Sequence, residues 1–234
     1  MLPLAIAAAG AKLRAFMEVL MAYSLRRLAL AAASFSLIAP LALAGTPLIV
    51  HVDAIDATGK IAPDAAICIP DGKGKSTDGK NIRPGIDWTA GPKATQSYAI
   101  LVTDPDVPAD ISVAYKADHQ IAANALRQTF YHWAQFNIPA GTTSLKGGDA
   151  ALAGISGANQ VGPSKDKLGY GGPCPPFNDA RLHHYHFTVY ALDTMLELEE
   201  GASAADVAAA MKGHVLSRGQ QIGTFTNAPA LLKQ

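Results

Sequence analysis

The chain has 234 residues, 49% of them hydrophobic, and 19 Lys and Arg balanced by 19 Asp and Glu. That length supports one hydrophobic core of ordinary size. The absence of net charge argues against a nucleic-acid partner, which calls for a basic face, but leaves room for a small local anion site that needs only a few donors.

Residues 1–44 read as an N-terminal extension and signal peptide rather than as fold. Met21-Ala-Tyr-Ser-Leu-Arg-Arg27 is a short basic lead, and Leu28 to Leu43 is essentially uncharged and rich in Ala and Leu. Ala42-Leu43-Ala44 then has the small-x-small pattern of a signal-peptidase site. A membrane anchor is the competing reading, because the apolar run is near the lower limit for spanning. The expectation is export with cleavage after Ala44. That leaves a periplasmic or secreted single domain over 45–234, with no stable membrane insertion. Met21 is an alternative start to Met1.

Leu48 to Ile55 is rich in β-branched residues and predicts a first strand. Ala57 to Lys93 is dominated by Gly, Pro, Asp and Lys and reads mostly as loop, anchored by Trp88. Tyr98-Ala-Ile-Leu-Val-Thr103 is an apolar run of strand length, as expected for a strand buried on both faces. Ala117 to Phe130 has the makings of a short helix. His132 to Ile138 predicts a strand stopped at Pro139-Ala-Gly141, and Gly141 to Gly172 a Gly-rich surface excursion. His184 to Leu192 is the strongest strand. Ser203 and Asp206 form a capping box, opening a helix whose Val207, Met211, His214 and Val215 share one face. His214 on that apolar face reads as structural. Several spaced strands and few helices predict a mainly β, antiparallel domain.

Four clusters carry polar chemistry. Thr103-Asp104-Pro105-Asp106-Val107-Pro108 closes the apolar strand, and in extended chain Asp104 and Asp106 share a face and could enter one cavity. An exposed proline-rich turn is the alternative. His132 sits between Tyr131 and Trp133. Tyr170-Gly-Gly-Pro-Cys-Pro-Pro176 is a stiff loop with few backbone donors, suited to walling a pocket. In Arg181-Leu-His-His-Tyr-His-Phe187, alternation sends His183, Tyr185 and Phe187 to one face and His184 and His186 to the other. The three histidines are therefore not one metal nest, and His184 and His186 have no assigned role. There is no Gly-x-Ser-x-Gly, His-Glu-x-x-His or phosphate-binding P-loop. Cys68 and Cys174, an even count in an oxidising compartment, fit one disulfide, with two buried free thiols as the other reading.

Taken in order, these pieces resemble the phosphatidylethanolamine-binding protein family in its bacterial Raf-kinase-inhibitor-like branch. The matching segments are Asn81 to Trp88, Ser97 to Pro108, His132 to Ala140, Tyr170 to Pro176 and Leu182 to Asp193. The resemblance spans roughly residues 48–225. It implies an antiparallel β-sandwich with a few short peripheral helices and a small pocket accepting phosphate-like or carboxylate-like anions. By position, Asp104 and Asp106 match its acidic pair, His132 its second-motif histidine and Pro173 its Gly-Pro loop. His183 and Tyr185 match its closing His-x-Tyr. Exported members resembling this chain carry cysteines at both matching places, which implies a Cys68–Cys174 bridge. Arg83, where many relatives have serine, and a long gap between Pro108 and His132 are departures.

The resulting expectation is an exported, non-catalytic binder of a small anion such as phosphate or a phospholipid headgroup, with no cofactor and no metal. The aspartates orient protonated histidines, and these and the Tyr185 hydroxyl donate to the anion. Two rivals stand beside it. One is a metal-assisted hydrolase using Asp104, Asp106, His132 and His183. The other is a protease inhibitor or interaction protein, with an unknown protein partner, acting through its long loops at 109–131 and 141–172.

Overall fold

The apolar run at Tyr98 becomes the middle of a five-stranded antiparallel sheet. The computed structural model describes residues 46–148, 159–161, 169–199 and 202–232. The predicted leader and its cleavage site lie outside them. Four short strands come first: β1 (Val50–Val52), β2 (Cys68–Pro70), β3 (Ser76–Asp78) and β4 (Ile86–Trp88). The long β5 (Ser97–Pro108) and β6 (Arg127–Pro139) follow, then β7 (Ser144–Leu145), β8 (Asn159–Val161) and β9 (His183–Leu192). Helix α1 (Ala204–Ala210) and β10 (Val215–Phe225) follow, and two short 3-10 turns lie at Pro63–Ala65 and Ile111–Val113. The large sheet runs β10-β9-β5-β6-β8, a smaller one runs β1-β4-β7, and β2 pairs with β3.

Both faces of β5 are covered, which is why its sequence is apolar rather than alternating. Tyr98, Ile100 and Val102 point toward the small sheet, packing with Val52, Ile86, Trp88, Tyr185 and Phe187. Ala99 and Leu101 point the other way, into a second core with Ala134, Phe136, Val207 and Met211 beneath α1. The fold is thus an antiparallel β-sandwich with a short helix on its outer face.

Several sequence expectations need correction. The helix over Ala117–Phe130 does not form. Asn178 Nδ2 donates to the Val113 and His119 carbonyls, and Ile121 exchanges backbone bonds with Asn178 and Ala180. These tertiary partners replace the i→i−4 bonds a helix would need, and the chain enters β6 at Arg127. The capping box at Ser203 and Asp206 is present, but α1 stops at Ala210 and Gly213 turns the chain at φ +86°. His214 therefore leaves the apolar face and is half-exposed, its Nδ1 bonded to Asp193 Oδ1 at 2.9 Å. Val215 opens β10, a strand that its glycines and glutamines conceal from sequence patterning. Gly219 is required there, since a Cβ would stand 1.9 Å from the Leu48 carbonyl oxygen. The segment read as loop over 57–93 holds three short strands around the Trp88 anchor. The 141–172 excursion returns at least once to the core, through buried Leu145. Much of the rest of it lies outside the described residues.

Candidate functional site

Two ladder irregularities shape the end of the large sheet. Val102 pairs with Trp133 and Thr103 with Tyr131, so His132 is an extra residue in β6. A bulge of this kind re-aims side chains: Tyr131 packs on the α1 side, whereas Trp133 lies in the core between the sheets. His132 is turned onto Tyr185, with ring centroids 5.1 Å apart in an edge-on arrangement. A second irregularity falls between Asp104 and Val107, where β5 leaves β9 behind.

There the carboxylates find their partners. Asp104, 1% exposed, accepts from the Asp106 amide at 2.7 Å through Oδ1 and from His183 Nδ1 at 2.7 Å through Oδ2. The other ring nitrogen of His183 reaches Asp179 Oδ2 at 3.2 Å. Asp179 also takes both guanidinium arms of Arg127 and the Arg181 amide. Asp106 faces away from this chain, accepting from the His184 amide at 3.0 Å and His184 Nδ1 at 2.7 Å, and from Arg181 Nε at 2.6 Å. Burial opposes ionisation of Asp106 and Asp179, but these donors outweigh it and hold both below the usual carboxylate range.

His183 is pinned between two carboxylates. Burial alone would lower its pKa, yet the hydrogen bonds and charges of Asp104 and Asp179 raise it to about 9. A folded pKa above the ordinary histidine value means stability fully present below about pH 6.5 and lost as pH rises through 9. The loss should amount to about 3 kcal/mol. Urea denaturation at pH 6.5 and pH 9.5 should show it, and His183→Gln should flatten the difference. Equal wild-type stabilities at the two pH values would overturn this.

His132 behaves differently. Its Nδ1–H donates to the Gly171 carbonyl at 2.8 Å, which leaves Nε2 as the lone-pair nitrogen. Nε2 is buried, has no hydrogen-bond partner among the described residues and lies 4.0 Å from Asp104 Oδ2. Burial, opposed by Asp104, keeps the His132 pKa below its ordinary value. The Tyr185 hydroxyl is likewise buried, with the Asp104 carboxylate as a hydrogen-bonding neighbour. Burial first, then the Asp104 charge, pushes its pKa well up, so it stays a neutral phenol.

The Gly171 carbonyl is placed by its loop. Asn81 Nδ2 donates to the Tyr170 carbonyl at 3.1 Å, and the Gly172 amide donates to Asn81 Oδ1 at 2.8 Å. A Cβ at Gly172 would meet the Ala65 carbonyl oxygen at 1.9 Å, so only glycine fits. The Pro173 carbonyl accepts from the Ile67 and Cys68 amides. Cys174 is disulfide-bonded to Cys68, with Cα atoms 4.8 Å apart.

Asp104, His132, His183 and Tyr185 are thus brought together, and Pro173 lies buried in the adjoining loop. The expectation that Asp104 and Asp106 would enter one cavity is corrected, because Asp106 serves His184 and Arg181 instead. The reading of His183 as a donor to the anion changes as well: both of its ring nitrogens are bonded to aspartates, which leaves none for an anion. Asp179, Arg127, Arg181 and His184 are members that sequence reasoning missed. Arg83 is buried away from the cluster, 5.5 Å over the Trp133 ring, with Nη2 donating to the Lys146 carbonyl. Among the described residues no group of three His, Cys, Asp or Glu side chains is arranged to hold a metal ion.

Known proteins share this fold. A family model described as phosphatidylethanolamine-binding protein matches residues 58–226. A UPF0098 protein of Methanothermobacter thermautotrophicus is 37% identical over 153 residues, covering 63% of this chain and 85% of that one. A Mycobacterium tuberculosis protein named as lipoprotein LppC is 30% identical over 150 residues, or 64% of this chain and 63% of its own. The crystal structure of Escherichia coli YbcL, titled a new member of the mammalian PEBP family, superposes with a TM-score of 0.59. It is 24% identical, and the match covers 77% of this chain and 99% of YbcL. The matched span contains the strand ends and loop that build the cluster, and on that match this chain belongs to the phosphatidylethanolamine-binding protein family.

Proposed function

We propose that the chain is an exported, non-catalytic binder of small oxyanions of the phosphate-headgroup kind. The binding groups are His132 and Tyr185, and Asp104, His183 and Asp179 form the rigid charged floor beneath them. One observation carries this reading: His132 Nε2, buried at the sheet end beside the Tyr185 ring, has no hydrogen-bond partner among the described residues. Buried polar groups normally find one, so an unsatisfied nitrogen in such a cluster argues for an occupant. Asp106 and Pro173 support the site from behind, through His184 and through the loop. An envelope location agrees with the leader-like residues 1–44 and with the lipoprotein name of one relative. No described helix is long and apolar enough to cross a membrane.

Calorimetric titration near pH 6 with inorganic phosphate and with phosphoethanolamine tests this. Binding of at least one is expected, weakened about fivefold in Tyr185→Phe, as loss of one hydrogen bond implies. Absence of binding heat and of thermal stabilisation by either compound would sink the proposal.

A further inference from the structure

Resting on the oxyanion reading above, we propose that the site admits its anion only together with one proton, which His132 carries on Nε2. The inference follows from donor bookkeeping. His183 donates both ring N–H groups to Asp104 and Asp179. Arg127 is spent on Asp179 and on the carbonyls of Asp106 and Ala122. The loop amides are used too, Gly171 N–H by the His132 carbonyl and Gly172 N–H by Asn81. The Tyr185 hydroxyl has the Asp104 carboxylate as its neighbour, and what remains unpartnered among the described residues is one lone pair, on His132 Nε2. A lone pair repels an oxyanion oxygen, whereas an N–H accepts its charge.

The groups around His132 make the coupling definite. From β5 it faces Asp104 and from β9 His183 and Tyr185, while Phe130 of its own strand covers the ring edge at 4.9 Å. The Gly171 carbonyl holds Nδ1 as a donor in either charge state, so protonation falls on Nε2. Burial keeps the empty site's imidazole neutral at pH 7. An anion brought against Nε2 adds the negative charge that the imidazolium lacks, and the proton arrives from solvent with no bond broken in the anion. The selected class is therefore small oxyanions at mildly acidic pH, in place of the permanently cationic pocket of an arginine-based site.

The experiment titrates the full exported protein with inorganic phosphate and with sulfate between pH 5.5 and 8.5. Sulfate stays fully ionised over that range, so any proton uptake belongs to the protein. Sulfate affinity should fall about tenfold per pH unit above the titration of free His132. Calorimetry in buffers of unlike ionisation enthalpy should give one proton taken up per sulfate. His132→Gln, whose amide can donate near the Nε2 position, should bind with affinity independent of pH. Histidine NMR on the unaltered protein gives a second readout, a His132 titration that moves upward when sulfate is added. Sulfate binding without pH dependence, or with uptake near zero, overturns the inference and leaves the oxyanion reading standing. Phosphate binding without sulfate binding also overturns it, since the proton would then travel on the ligand. Binding of neither anion removes both proposals.

Discussion

Replacing Arg127 with methionine is expected to destabilise the protein by about 3–5 kcal/mol. The Arg127 side chain is 9% exposed and that of Asp179 1%, so the pair is held out of water. Removing the guanidinium leaves Asp104 and Asp179 sharing a single imidazolium, that of His183, with one net negative charge buried and unpaired. It also removes the donor that Arg127 gives the Asp106 carbonyl. Methionine keeps much of the aliphatic volume, which confines the effect to charge and hydrogen bonding. Urea denaturation at pH 7 measures the loss. The double variant Arg127→Met with Asp179→Asn should be more stable than Arg127→Met alone, because it discharges the orphaned carboxylate. A single variant within 1 kcal/mol of wild type would place the pair among ordinary surface bridges, which contribute about 0–1 kcal/mol.

That network marks where sequence reading stops. Asp104, His183 and Tyr185 were legible because each lies in or beside a strand with period-two alternation, which fixes the face before any contact is known. His132 was legible only through its motif, since the bulge that turns it toward Tyr185 breaks that alternation. Asp179 and Arg127 had no signal at all. They lie 52 residues apart, one in a loop and one in a segment read as helix, and nothing local reports a long-range ion pair. His184 was placed correctly on the other face of β9, but the irregularity after Asp104 swings Asp106 across to meet it. The same irregularity explains why two aspartates spaced as i and i+2 serve different cations. The mainly antiparallel β character was readable from the strand pattern, and the sandwich followed from the family resemblance. α1 was read too long and β10 missed, because a single left-handed glycine separates them and periodicity does not register it.

The charge balance of the cluster bears on its chemistry. Asp104, Asp106 and Asp179 face His183, Arg127 and Arg181, so three negative groups meet three positive ones. A site so neutralised has little pull on anions at long range. On the proposed reading, selectivity comes from His132 Nε2, unpartnered among the described residues, and from its proton state.

The Cys68–Cys174 bridge is the other feature with a large expected effect. It spans a sequence separation of 106 and ties β2 to the loop that carries Gly171 and Pro173. In the chain-entropy view a loop of that length restricts the unfolded chain by about 4.7 kcal/mol. The double variant Cys68→Ala/Cys174→Ala should therefore lose about 4–5 kcal/mol in urea, and its Tm should fall by roughly 10–20 °C for a domain of this size. The bridge also acts on the site. The Gly171 carbonyl fixes the His132 tautomer, and its loop is held by the Asn81 side chain, by the Ile67 and Cys68 amides and by the disulfide. Loosening that loop frees Nδ1 and lets the proton shift between ring nitrogens, so anion affinity should drop along with stability. A variant that loses stability but binds phosphate unchanged would mean that the backbone bonds alone position the loop. One that keeps its Tm within a few degrees would mean that the unfolded chain is already constrained by other means.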